Sequence, residues 1–316
     1  MTITSNIEFL DCTPPVGYKH RYESYLYNQE EFINLRSGYN IKRYFIVDHK
    51  TKGVLGSVKF FVDNGYAKSL VRTPFGGIEL NSGIDLEILY DFVTFFESNL
   101  FDLRVNTITI KNAASGYDHL TSSKVTTCLL NKDYEIYSSE VNHHIEVNKT
   151  GLDERIHLME ERKLLKAKEL NFRFEQRALK DLEEIYDYIK ACRLERGITI
   201  SMTYEELEST VTKLPDQYKI FTVQSDSEIR AATIAVRVND RILYNFYPAN
   251  KLKDRTLSPI VFLMEGIYNY CQVHGYDILD LGISSENNTP QFSLIKFKER
   301  MGGIFSTKFS FIKKRS

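Results

Sequence analysis

The chain contains no tryptophan, so any aromatic wall of a ligand site must come from its 20 tyrosines and 20 phenylalanines. Cysteine is scarce and scattered. Cys12, Cys128, Cys192 and Cys271 form no CxxC pair and no zinc-ligand spacing, and four reduced thiols in a cytoplasmic protein are the expectation. Neither sign of charge dominates, because 41 basic residues balance 42 acidic ones. That balance gives no global attraction to nucleic acid or membranes, and DNA is not an expected partner. Long hydrophobic runs are missing as well. No uncharged apolar stretch approaches the roughly 20 residues that span a bilayer, so no transmembrane segment is expected. The start, MTITSNIEFLDCTPP, lacks the charged region and apolar run of a signal peptide. What the chain does have is 316 residues, enough for about two domains, and 42% hydrophobic residues to fill their cores.

The order of elements occurs twice. In the first half, Tyr44–Asp48 and Val54–Val62 read as a hairpin, and Tyr66–Val71 follows the turn dipeptide Asn64-Gly65. The loop RTPFGG, Arg72–Gly77, leads to a helix at Asp85–Asn99, a buried strand at Val105–Ile110 and a helix near Tyr117–Leu130. Strands at Tyr134–Ser138 and Asn142–Val147 come next. In the second half, Phe221–Gln224 and Ile229–Val238 form the hairpin and Ile242–Phe246 follows it. The loop Tyr247–Leu257, the helix Pro259–His274, the strand Ile278–Leu281, the helix Pro290–Arg300 and the strand Phe305–Ile312 complete the second round. Each half opens with a helix, near Tyr18–Leu35 and Leu179–Arg196. The pattern predicts an α/β protein with mixed sheets. Its modules span residues 1–150 and 172–316, and a charged helical connector covers 151–171.

One stretch concentrates the chemistry: GYDILDLGISSENNTPQFSLIKFKERMGG, Gly275–Gly303. Asp280 interrupts an apolar strand, and a buried carboxylate is costly unless paired. It is either an active-site acid or a paired structural residue. Glu286, Asn287 and Asn288 follow in a polar loop at the carboxyl end of the strand, where ligands gather in open α/β sheets. Asn288 or Thr289 is expected to cap the next helix, with Pro290 at its first position. On that helix Leu294, Phe297 and Met301 share a face expected to be core. Lys298 lies at its border and Lys296 nearly opposite; a border lysine either contacts ligand charge or snorkels over apolar surface. Arg193 and Arg196 end the first helix of the second half, where they either bind an anion or complement the helix dipole. Tyr244 and Tyr247 end a central strand, as hydroxyl donors or as core. His143 and His144 point to opposite faces of a strand and do not share a metal easily; no metal site is expected.

The repeated order resembles tandem GNAT (acyl-CoA N-acyltransferase) folds, and the detail is similar to the FemABX-like branch. The pieces that carry the resemblance are PFGG at Pro74–Gly77, ERKLLKAKEL at Glu161–Leu170, EIYDYIKACRLERG at Glu184–Gly197 and LDLGISSEN…LIKFKERMGG at Leu279–Gly303. The resemblance implies two GNAT-like modules in tandem and transfer of an acyl or aminoacyl group to an amine. The acceptor it implies is a small molecule or a cell-envelope sugar or peptidoglycan precursor. It implies that Lys298, which matches the family's FK lysine, contacts a phosphate or transition-state charge. Asp280 and Glu286 stand beside it as catalytic candidates. Arg193, Arg196, Tyr244, Tyr247, Asn287 and Asn288 are the substrate-binding candidates.

The donor departs from the common pattern. Acyl-CoA enzymes of this fold present a Gly-rich turn whose N–H groups hold pyrophosphate at a helix start. The corresponding loop here, YPANKLKDRTLSP at Tyr247–Pro259, has no glycine and carries Lys251, Lys253 and Arg255. Acyl-CoA and aminoacyl-tRNA both stand as donors, the second making tRNA a partner. A non-catalytic binding or scaffold protein and a conventional acyl-CoA-dependent small-molecule N-acetyltransferase are the alternative readings.

Overall fold

The computed structural model describes residues 6–35, 38–69, 71–286 and 288–315. In chain order the elements are β1 (Ile7–Leu10), β2 (Lys19–His20), α1 (Glu30–Ile33), β3 (Asn40–Asp48), β4 (Gly53–Asp63), β5 (Tyr66–Lys68), β6 (Glu79–Leu80), α2 (Leu86–Asp102), β7 (Thr107–Lys111), α3 (His119–Asn131) and β8 (Glu135–Glu146). Then come α4 (Leu158–Lys168), β9 (Arg173–Arg177), α5 (Leu182–Leu194), α6 (Tyr204–Lys213), β10 (Tyr218–Ser225), β11 (Glu228–Arg237), β12 (Ile242–Asn245) and β13 (Ala249–Asn250). The chain ends with α7 (Pro259–His274), β14 (Ile278–Ile283), β15 (Ser285–Glu286), β16 (Thr289–Pro290), α8 (Phe292–Arg300) and β17 (Ile304–Lys314). These elements form two compact units, Met1–Val141 with Ser306–Ser316, and Asn142–Phe305.

In the first unit the strands run β1-β3-β4-β5-β7-β17. β5 and β7 are parallel, and β3·β4, β4·β5 and β7·β17 are antiparallel. α2 packs on this sheet because Leu89, Phe92, Val93, Phe96 and Leu100 recur on one helical face, and all five are buried. Beyond the last parallel pair, Lys68 with Thr109, the strands part. The gap is bridged by the chain's own loop: Ser69 N–H donates to Thr109 O, Lys111 N–H to Ser69 Oγ and Gly76 N–H to Lys111 O. Phe75 is buried there, edge-on to Tyr25, Tyr27 and Tyr117.

The second unit repeats the plan with the strands β14-β12-β11-β10-β9, and the last five residues of β8 pair with β14. β12 and β14 are parallel. α7 covers the sheet with Val261, Leu263, Met264, Ile267, Tyr268 and Cys271, and ends at Gly275 with φ +74°. α6 starts on a capping box between Thr203 and Glu206.

Three expectations need correction. The helix near Tyr18–Leu35 reduces to the four residues of α1 and a 3₁₀ turn at Leu26–Asn28. The Glu79 carboxylate accepts Ser24 Oγ–H and Tyr25 N–H, each at 2.7 Å, and a tertiary contact thus holds that segment extended. Tyr134–Ser138 and Asn142–Val147 are one strand, β8, which runs unbroken from Glu135 to Glu146; no Gly, Pro, Asn or Asp stands between the two stretches. The strand at the chain's end does not close the second module. β17 pairs with β7 through Ser310–Lys111 to Lys314–Thr107, in the first unit.

Gly266 shows how tightly α7 sits on the sheet. A Cβ there would meet the Phe174 ring at 2.1–2.5 Å. Gly266→Ala should therefore lower the urea midpoint, with an overpacking cost of about 1–3 kcal/mol outweighing a helix-propensity gain of about 1 kcal/mol. A midpoint raised above wild type would refute this packing.

Candidate active site

Three parallel pairs join β12 to β14, Ile242–Ile278, Leu243–Leu279 and Tyr244–Asp280, and β12 then ends at Asn245 while β14 runs on. On its other side β14 slips register against β8 between Asp280 and Gly282. Gly282 takes φ +71°, and a Cβ there would stand 2.9 Å from the Tyr244 ring, so both the turn and the contact call for glycine. This bulge leaves the carbonyls of Gly282 and Ile283 facing α8. Lys298 Nζ donates to both, at 2.8 Å each. The lysine is 7% exposed, and burial pushes its pKa down to about 7 against an opposing pull from Asp280.

The bulge is braced from β8. Asn142 Nδ2 donates to Asp280 Oδ1 at 2.8 Å, and Gly282 N–H donates to the same oxygen at 3.1 Å. His143 Nδ1 lies 3.2 Å from Ser284 Oγ. Asn142, His143, Asp280 and Ser284 are all buried. Burial, first, and the nearby Lys298 lower the His143 pKa to about 4, which keeps its ring neutral at pH 7.

A cleft of about 850 Å³ opens beside this strand end. Leu294 and Phe297 of α8, the first residues of α7, and Ile198 and Leu252 supply its apolar walls. Lys163, Arg196 and Arg255 bring positive charge, and Glu286 brings one carboxylate. Lys163 is already paired with Glu160. Arg196 is held by neutral groups, donating to the carbonyls of Cys192 and Asn250 and to Asn250 Oδ1. The main chain at the start of α7 offers few donors. Ser258 sits at φ +58° and makes no side-chain cap, Pro259 has no N–H, and Val261 N–H already donates to Ser258 O. Of the three cations expected from the loop, Arg255 alone lines the cleft. Lys251 lies over the Tyr188 ring and Lys253 is 3.8 Å from Glu228.

The structure places the expected residues as follows. Lys298 is not at a border. It is the buried residue of α8; Met301 is core as expected, half-buried Phe297 packs against the core and also lines the cleft, and Leu294 is exposed at the cleft instead. Lys296 is exposed. Asp280 is buried with its carboxylate bound by Asn142 and Gly282, and Glu286 is exposed at the cleft. Arg193 stacks on the Tyr247 ring at 4.8 Å, and Tyr247 shares a hydrogen bond with Ser201 at 2.5 Å. Tyr244 covers Gly282. Asn288 turns the β15–β16 hairpin at φ +64°, and Thr289 and Pro290 form β16 instead of starting the helix. α8 begins at Phe292 after Gln291, without a side-chain cap. Asn287 lies outside the described residues. Sequence reasoning missed Asn142, His143 and Ser284. The signal was the polar run Asn142-His143-His144 inside a strand pattern, weighed only as a metal site.

Residues 158–292 match the GNAT acetyltransferase domain. No curated protein matches the chain. Among solved structures, FemX superposes with a TM-score of 0.70 at 11% identity, over 93% of each chain. A conserved protein of unknown function from Bacteroides thetaiotaomicron VPI-5482 superposes at 0.58, with 8% identity over 90% of each chain. The C-terminal domain of a putative lysylphosphatidylglycerol synthetase from Agrobacterium fabrum superposes at 0.54, with 12% identity over 84% of this chain and 83% of that one. At such identities the likeness is one of fold: the chain has the FemX-like GNAT fold.

The depressed lysine makes stability depend on pH. Folded, Lys298 titrates near 7; unfolded, near its ordinary 10.5. Between those values the unfolded chain holds a proton that the folded chain has released, so the lysine's destabilising effect is full below about pH 7 and fades as pH rises to 10.5. Lys298→Met should be more stable than wild type at about pH 6, by a margin that shrinks toward pH 10 at up to about 1.4 kcal/mol per pH unit. Urea melts across that range that run parallel for both proteins would contradict the depressed pKa.

Proposed function

We propose that the second unit is an acyl- or aminoacyltransferase that moves an acyl group onto an amine. The observation that carries this reading is the grip on Lys298. An ammonium has three N–H groups and no acceptor. The Gly282 and Ile283 carbonyls engage two of them. The third position is an N–H in the charged lysine and a lone pair in the neutral one. With a pKa of about 7 both forms are present at neutral pH. Such a group takes a proton from an attacking amine, or donates a hydrogen bond to the oxyanion that the attack creates. Gly282 and the Tyr244 ring lie where β12 and β14 part, and the cleft lined by Phe297, the residue before Lys298, has room for an acyl donor.

The donor reading follows from charge. At the start of α7 side chains, not main-chain N–H groups, offer the positive charge, through Arg196 and Arg255. That suits the phosphates of an aminoacyl-tRNA end better than the backbone-cradled pyrophosphate of acetyl-CoA. The FemX-like fold supports an envelope sugar or peptidoglycan precursor as acceptor, and a neighbour whose name is lysylphosphatidylglycerol synthetase supports aminoacyl transfer as the reaction class.

The direct test is transfer of a labelled aminoacyl group from tRNA to muramyl-peptide acceptors. Lys298→Met should lose about 10²–10³ in rate, the usual cost of removing one oxyanion-type donor. The exposed Lys296→Ala should keep wild-type rate. Equal rates in both variants would remove Lys298 from the chemistry. Calorimetry decides the donor separately: tight acetyl-CoA binding that survives removal of the Arg196 and Arg255 charges would favour the conventional acetyltransferase.

A further inference from the structure

The two carbonyls that hold Lys298 belong to a bulge, and a bulge needs support from outside its own ladder. The supports differ on its two sides. Before Gly282, the Asn142 amide fixes Asp280, which in turn accepts Gly282 N–H. After Ile283, two contacts hold Ser284: His143 Nδ1 lies 3.2 Å from its Oγ, and Gln291 N–H donates to its carbonyl at 2.8 Å. His143 is completely buried with Phe305 edge-on to its ring at 5.9 Å, and its Nε2 has no hydrogen-bond partner among the described residues. A buried polar atom left unpaired costs roughly 1–3 kcal/mol, which an apolar ring of the same shape would avoid. Packing alone therefore does not account for a histidine here. The nitrogen in use is Nδ1, and what it holds is the residue next to the lysine's second carbonyl.

We infer that His143 is a positioning residue: through Ser284 it fixes the Gly282 and Ile283 carbonyls so that the Lys298 amine keeps one position directed to substrate. The functional meaning rests on the acyltransferase reading, but the geometry does not. The ionisable groups that act on Lys298 are Asp280 of β14 and His143 of β8. Lys296 and Glu299 of its own helix are exposed and Arg300 is half-buried. With the brace in place the lysine stays sealed. With it released, the carbonyls move, water reaches the amine, and its titration returns toward the ordinary lysine range.

The test reads Lys298 itself, by NMR titration of the lysine Cε in labelled protein, with the Lys298→Met spectrum for assignment. It needs no substrate, so a failed acyltransferase reading leaves it intact. Asparagine places an amide where Nδ1 stands, and glutamine where Nε2 stands. His143→Asn should keep the wild-type midpoint. His143→Gln and Ser284→Ala should each raise it by about one pH unit or more. The double variant His143→Gln/Ser284→Ala should go no further than either single change, because both break one link. An unshifted Lys298 midpoint in folded Ser284→Ala overturns the inference, and that variant decides the matter even if the histidine variants fail to fold. A glutamine variant that titrates as wild type while the asparagine variant does not would overturn it as well.

Discussion

A lysine amine sealed against two main-chain carbonyls organises the second unit. Burying an ammonium is costly, and its two N–H bonds to Gly282 and Ile283 offset only part of that cost, which is why its pKa falls. Everything nearby serves that arrangement. The register slip in β14 exposes the carbonyls, the left-handed Gly282 makes the slip possible, Tyr244 closes over the glycine, and Asn142, Asp280, His143 and Ser284 hold the strand on either side. A group that is expensive to keep and surrounded by supports of this kind is what a proton-transfer site requires.

The two units use one plan differently. Each has a parallel strand pair, β5–β7 in one and β12–β14 in the other, that parts at its carboxyl end. In the first unit Phe75 and the hydrogen bonds of Ser69 and Gly76 fill the parting, and the helix that follows opens with Asp85 and Glu87. In the second unit the start of α7, the helix that follows, lines a cleft and has no acidic residue in its first turn. The electrostatics at the two helix starts are thus opposed: acidic in one, and in the other flanked by Arg255.

Periodicity made the large elements legible. α2, α5, α7 and the long strands β4 and β11 carry strong apolar patterns, and burial in the structure follows them. Lys298 stood out in the sequence, but as a border residue and not as a buried one. Helical spacing put Leu294 inward with Phe297 and Met301, whereas the two carbonyls of a bulge draw the lysine inward and leave Leu294 to the cleft. A strand bulge has no period, so Gly282 gave little warning of it. The His143–Ser284 contact joins residues 141 positions apart, and Asn142–Asp280 joins residues 138 apart. No local rule reaches that far. The segment before α1 misled for the same reason: a glutamate more than fifty residues away captures it in extended form.

The placement of β17 bears on the order in which the chain can mature. Translation delivers β7 some two hundred residues before its neighbour, and Phe311, a fully buried residue of the first unit's core, arrives last of all. Until β17 emerges, the first unit has an open strand edge at β7 and a vacancy in its core. The second unit's residues meanwhile emerge without interruption from Asn142 to Phe305. The usual rule that amino-terminal domains finish folding first is therefore reversed by the topology, and the exposed edge of β7 is where a nascent chain of this protein is most open to mispairing.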